Sequence, residues 1–129
     1  MIIDSSAIIA ILFGEPESED FVGRMASARC RMSTANWLES AMRLEGVLGA
    51  GAGPVLDGLV DELSIVLEPV TVEHATAARI AFRRYGKGSG SPAELTFGDC
   101  LAYALSATSG EPLLFKGDDF THTDILSVR

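Results

Sequence analysis

The chain has 129 residues, a length that fits a single domain, residues 1 to 129, built on one hydrophobic core. Apolar residues make up 47 % and charged residues 22 %, which excludes a disordered chain, and no apolar run approaches the roughly 18 to 20 residues that span a bilayer. A formal net charge of −8 excludes a protein that holds nucleic acid through a broad basic surface.

Residues Met1 to Asp4 are predicted as a short buried strand, because β-branched Ile2 and Ile3 are adjacent and Asp4-Ser5-Ser6 forms a turn or cap cluster. Ala7 to Phe13 follow as a helix closed by Gly14, and Glu15 to Ser27 as a surface helix with Phe21, Val22 and Met25 at helical spacing. Cys30 to Ser33 is a second strand. Ser33, Thr34 or Asn36 caps the next helix, which carries Trp37, Leu38, Ala41, Met42, Leu44, Val47 and Leu48.

Gly49 to Pro54 breaks the chain before a helix over Val55 to Leu63 and a strand over Ile65 to Val70. Val72 to Tyr85 is the next helix, with Ala75, Ala78 and Phe82 on one side. A flexible stretch, Gly86 to Pro92, precedes a helix from Thr96 to Thr108. Pro112 to Phe115 is the last clear strand, followed by a polar turn at Lys116 to Asp119 and a tail ending Ile125 to Val128. Alternating strands and helices predict an α/β three-layer sandwich with a central, mainly parallel sheet, and ligand chemistry at the carboxyl edge of its strands.

Cys30 and Cys100 are read as reduced core thiols, and a chain without a basic and apolar leader is expected in the cytoplasm. Gly49 to Gly53 follows a helix, not a strand, and so lacks the context of a dinucleotide loop. Gly86-Lys87-Gly88-Ser89 lacks the earlier glycine and the residue after lysine that a phosphate loop needs. His74 and His122 show no zinc spacing with the cysteines, and His122 is read as an exposed turn residue.

Four acids fall where a parallel sheet would converge: Asp4 after the first strand, Glu39 shortly after the second, Asp99 at the start of a late helix and Asp118 after the last strand. Taken singly, each has a plain structural role as a cap, a solvated helix residue or a turn former. Thr96-Phe97-Gly98-Asp99 itself has the spacing of a capping box. Taken together, Asp4 and Asp99 lie in apolar surroundings where gathered ionised carboxylates are costly and need a cation. A hard divalent ion, Mg²⁺ or Mn²⁺, meets that need with oxygen ligands, and the chemistry it implies is phosphodiester hydrolysis.

Met-Ile-Ile-Asp-Ser-Ser-Ala at residues 1 to 7, Asn-Trp-Leu-Glu at 36 to 39, Phe-Gly-Asp-Cys-Leu-Ala-Tyr-Ala at 97 to 104 and Leu-Leu-Phe-Lys-Gly-Asp-Asp-Phe at 113 to 120 together resemble VapC-type toxins with PIN domains. The resemblance implies that Asp4 and Asp99 are the principal Mg²⁺ ligands, Glu39 the third acid and Asp118 the fourth. Ser5 or Ser6 would position water or phosphate. Thr96 stands where many relatives have Asn, and Gly117 precedes Asp118-Asp119-Phe120, so Asp119 is an alternative fourth acid. The family implies an RNA-cutting toxin held inactive by a cognate VapB-like antitoxin, which alone would touch operator DNA. It also implies a homodimer with no membrane partner. Among the cations, Arg83 and Arg84 are candidates for contact with RNA phosphate, against the plain reading of a solvated helix end. The alternative function is a catalytically silent PIN-like binding or regulatory module.

Overall fold

The computed structural model describes residues 1 to 128. Four strands, β1 (Ile2–Ile3), β2 (Arg31–Ser33), β3 (Val66–Glu68) and β4 (Leu113–Leu114), form a parallel sheet in the order β3-β2-β1-β4. Six α-helices surround it: α1 (Ser5–Leu12), α2 (Ser18–Ala26), α3 (Thr34–Leu48), α4 (Gly53–Glu62), α5 (Val72–Tyr85) and α6 (Phe97–Ser109). The fold is the expected α/β sandwich with a central parallel sheet.

Successive strand residues point to opposite faces of a sheet, and the two cores follow that rule. Ile2 and Leu113 pack with Ala78 and Ala81 of α5 and with the buried face of α6. Their neighbours Ile3 and Leu114 pack on the other side, with Ala7 and Ile8 of α1, Phe21 of α2, Leu44 of α3 and Leu56 of α4. Continuous apolar strands are the sequence signature of a sheet covered on both faces. From β1 the chain moves outward through β2 to β3, then returns to the far side of β1 for β4. The connections leaving the carboxyl ends of β1 and β4 therefore diverge, which opens the crevice where parallel sheets bind ligands.

Several element limits differ from the sequence expectation for local reasons. Helix α1 starts at Ser5 instead of Ala7 because the Asp4 carboxylate caps it, accepting the Ser6 N–H at 3.0 Å. Helix α2 starts at Ser18 instead of Glu15 because the Glu15 N–H returns to the Ala10 carbonyl at 2.9 Å, through Gly14 at φ +61°. The stretch from Gly86 to Pro92, expected to be flexible, is pinned where Lys87 N–H donates to Leu95 O and Leu95 N–H to Tyr85 O, both at 2.9 Å. The carboxyl-terminal tail runs beside β4, with Leu113 paired in parallel with Ser127. Cys30 and Cys100 are free and buried, as read.

Helix α3 departs most from its predicted packing. Leu44 is buried and Trp37 and Ala41 pack against the core, whereas Leu38, Met42, Val47 and Leu48 are exposed.

Phe115, at the end of β4, is fully buried and packs its ring against Phe120 at 5.1 Å between centroids. Truncating a buried aromatic of this kind costs about 3 to 5 kcal/mol. Phe115→Ala is therefore expected to lower the urea unfolding free energy by about that amount. A loss below about 1 kcal/mol would contradict the assignment of Phe115 to the core.

Candidate active site

Asp4, Glu39, Asp99 and Asp119 line one cleft of about 340 Å³ at the carboxyl edge of the sheet. Asp4 follows β1 directly, Glu39 lies in the second turn of α3, Asp99 in the first turn of α6 and Asp119 just after β4. Three separate crossovers thus deliver acids to the crevice between β1 and β4.

Asp4 and Asp99 are held by neighbours from their own motifs, and Glu39 by a serine of the first motif. Asp4 is 2 % exposed, and one of its oxygens accepts the Ser6 N–H while the other, Oδ1, is buried without a hydrogen-bond partner. The Ser6 hydroxyl in turn accepts the Lys116 N–H at 2.9 Å, tying the loop after β4 to α1. Ser5 donates its hydroxyl to Glu39 Oε1. Asp99 Oδ2 accepts the Thr96 N–H at 3.0 Å and the Thr96 hydroxyl at 2.9 Å, so the carboxylate arm of the expected capping box is formed.

Two residues outside the sequence-predicted set fix the distance between α3 and α6. Asn36, read in sequence as a possible cap, is fully buried and donates from Nδ2 to the Gly98 carbonyl at 2.9 Å, while Ser33 does the capping. Gly98 packs directly against the Glu39 carboxylate, and a side chain at this position would collide with it. The sequence signal for both lay in the quoted motifs, Asn-Trp-Leu-Glu and Phe-Gly-Asp, but spacing alone did not show that they touch.

Of the four acids expected from the sequence, the structure brings three together. Asp118 precedes a 3-10 turn over Asp119–His122 and does not line the cleft, whereas Asp119, also exposed, does. Gly117, at φ +100°, turns the chain just before the pair, and the one-residue offset decides which side chain faces the crevice. His122 is exposed in the same turn. Arg83 and Arg84 lie at the end of α5, where Arg84 sits over the Tyr85 ring and near Asp124, and neither lines the cleft. Arg43, not singled out from the sequence, does line it.

The electrostatics follow from burial and crowding of like charges. Burial pushes the Asp4 carboxyl up to about 7, against the lowering effect of the Ser6 hydrogen bonds, and the charges of Asp99 and Glu39 add to the rise. Asp119 is raised as well, first by burial and then by Asp99, Asp118 and Glu94, with His122 acting against them. Among the described residues no three His, Cys, Asp or Glu side chains already converge tightly enough to hold an ion. The hydroxyls of Ser5 and Thr96 engage Glu39 and Asp99, which accounts for carboxylates that share a cleft without closing on a point.

Residues 1–126 match the PIN domain family model, and the chain belongs to that family. Within it the chain is a VapC-type member. It is 46 % identical over 130 residues to a ribonuclease VapC of Mycolicibacterium smegmatis, covering 100 % of both chains. It is 45 % identical over 129 residues to ribonuclease VapC30 of Mycobacterium tuberculosis, covering 99 % of this chain and 98 % of that one. In fold it is similar to the crystal structure of Mycobacterium tuberculosis VapC20, a sarcin-ricin loop cleaving toxin. That match has a TM-score of 0.78 at 18 % identity and covers 99 % of this chain and 98 % of the other. A toxin–antitoxin complex from Klebsiella pneumoniae matches with a TM-score of 0.68 at 14 % identity, covering 92 % of this chain and 88 % of that one.

The folded chain keeps the Asp4 proton up to about pH 7, whereas an ordinary aspartate loses it near 3.8. The group therefore contributes stability at low pH that is lost as pH rises through this window. In EDTA, Asp4→Asn is expected to gain Tm relative to the parent chain between pH 5 and pH 8, because the amide cannot ionise. A Tm difference that stays constant over that range would contradict the shift.

Proposed function

We propose that the chain is a divalent-metal-dependent endoribonuclease and the toxin of a toxin–antitoxin pair, acting at Asp4, Glu39, Asp99 and Asp119. The observation that carries this reading is the cleft itself, in which Glu39, Asp99 and Asp119 join Asp4, one of whose oxygens is buried without a hydrogen-bond partner in the protein. The names of the full-length relatives, ribonucleases of the VapC type, support RNA as the substrate.

The donor set fits a hard divalent cation. All the acids offer oxygen, and an unpartnered buried carboxylate oxygen is costly unless something positive meets it. Mg²⁺ is the expected ion, with Mn²⁺ as a substitute, held by Asp4 and Asp99. Such an ion, when bound, supplies positive charge to the phosphate and makes water a better nucleophile.

The chain's own residues do the rest. Thr96 fixes the orientation of Asp99, and Ser5 fixes that of Glu39. Asp119, whose proton affinity is raised by burial, is suited to take the proton from the attacking water. Ser6 holds the loop that carries Asp119 through the Lys116 N–H.

Partners follow from the surface next to the cleft. An apolar groove of about 650 Å³, lined by Val70, Phe82, Phe97 and Leu101 among others, runs between α5 and α6. Exposed apolar surface of this kind marks interaction sites, and it supports a VapB-like antitoxin and a second copy of the chain as partners. The charge of −8 supports contact with operator DNA only through the antitoxin. Among the described residues no helix is long and apolar enough to cross a membrane.

Purified chain freed of partner, incubated with total cellular RNA, is expected to give discrete cuts with Mg²⁺ and none with EDTA. Asp4→Asn and Asp99→Asn are each expected to lower cleavage by about a hundredfold or more while the fold is kept. Intact RNA from a folded, Mg²⁺-binding chain would instead identify a silent binding module. In the same assay Asp119→Asn should lose far more activity than Asp118→Asn, and the reverse order would return the fourth position to Asp118.

A further inference from the structure

Among the described residues Arg43 occupies a place no other cation shares. It lines the acidic cleft beside Glu39 and Asp99, and it also lines a second apolar groove, between α3 and the start of α6, beside Leu38, Met42 and Phe97. Among the described residues no other Lys or Arg lines either of these two spaces.

Its helical position makes the absence of an ion pair informative. Glu39 stands four residues before Arg43 on α3, the spacing and order that favour a Glu–Arg pair on a helix surface. Glu39 is instead drawn away by the Ser5 hydroxyl and packed against Gly98. Among the described residues Arg43 makes no ion pair. The other candidate cation near this edge, Lys116, is engaged by Glu15 at 2.7 Å and Glu17 at 3.1 Å. Arg43 is thus an uncommitted guanidinium at the mouth of a cleft that carries four acids.

A polyanion entering that cleft meets repulsion unless a cation receives it, and a guanidinium's planar fork suits two phosphate oxygens at once. We propose that Arg43 binds a phosphate of the RNA backbone flanking the one that is cut, and so sets substrate affinity and position instead of the chemical step. This rests on the reading of the cleft as an RNA-cleaving site, and the two can fail separately.

The test pairs a binding and a kinetic readout. Binding of a fluorescein-labelled oligouridylate to Asp99→Asn protein is measured against salt, with and without Arg43→Ala. KM and kcat on RNA are measured for Arg43→Ala alone. The control is Arg29→Ala, whose residue lies beside the Met1 amine at the opposite, amino edge of the sheet. Loss of Arg43 is expected to raise Kd and KM about tenfold or more and to leave kcat within about twofold. The slope of log affinity against log salt should become shallower by about 0.7, the value for one phosphate contact on a single strand. Arg43→Lys should recover the slope but only part of the affinity. Unchanged Kd and slope in Arg43→Ala, or an equal loss in Arg29→Ala, would overturn the proposal. A chain that binds RNA through Arg43 without cutting it would remove the nuclease reading alone. A chain that cuts RNA with a KM independent of Arg43 would remove this proposal alone, and no binding at all would remove both.

Discussion

The structure is organised around one carboxylate that has been taken out of water. Asp4 ends β1, caps α1 and lies almost fully buried, with only one oxygen satisfied by the chain. An isolated ionised group in such a place would shift its pKa and neutralise, and burial does drive this one up to about 7. The surroundings answer by fixing everything near it. Ser6 donates its N–H to it and ties down the loop after β4, and Ser5 holds Glu39. The same two serines that start a helix therefore tie three acids from distant parts of the chain into one cleft, at the one crevice the strand order opens.

That arrangement explains how an acidic protein can act on an acidic polymer. A broad basic face would bind any nucleic acid strongly through counterion release, and a net charge of −8 argues against that mode for this chain. Four acids are instead gathered at one cleft where a cation can balance them, and part of the chain's positive charge is engaged elsewhere: Arg31 by Glu68 and Glu111, Lys116 by Glu15 and Glu17, and Arg24 by Asp20. Recognition then depends on a few placed groups and on shape, as single-stranded RNA recognition generally does.

Much of this was legible in the sequence because the informative residues sit at strand ends, where element type and site position are the same question. Ile2-Ile3-Asp4 declares a buried strand and its terminal acid at once, and Phe97-Gly98-Asp99 declares a helix start. Asp119 was not separable from Asp118, because the two acids are adjacent and spacing does not say which of them lines the cleft. The exposure of Leu38 and Met42 was invisible for a different reason: helical periodicity marks an apolar face but does not say whether core or partner covers it. Arg43 was masked by a local rule that suggests pairing with Glu39, which fails only because Ser5, far away in sequence, claims Glu39 first.

Gly98 shows how the stability of the fold and the shape of the site trade against each other. A glycine in the first turn of α6 lacks a side chain to restrict the unfolded chain, a disadvantage of roughly 0.5 to 1 kcal/mol relative to alanine inside a helix. Its φ is not left-handed, so conformational freedom is not the reason for it. The reason is proximity: the Glu39 carboxylate occupies the space where a side chain would be, and Asn36 clamps the Gly98 carbonyl from the other side. Helices α3 and α6 are thereby held at a separation set by bare backbone, which places Glu39 and Asp99 on the same cleft wall. A larger residue would displace the Glu39 carboxylate itself from its place in the cleft, so at this position the packing requirement and the chemical requirement are one constraint.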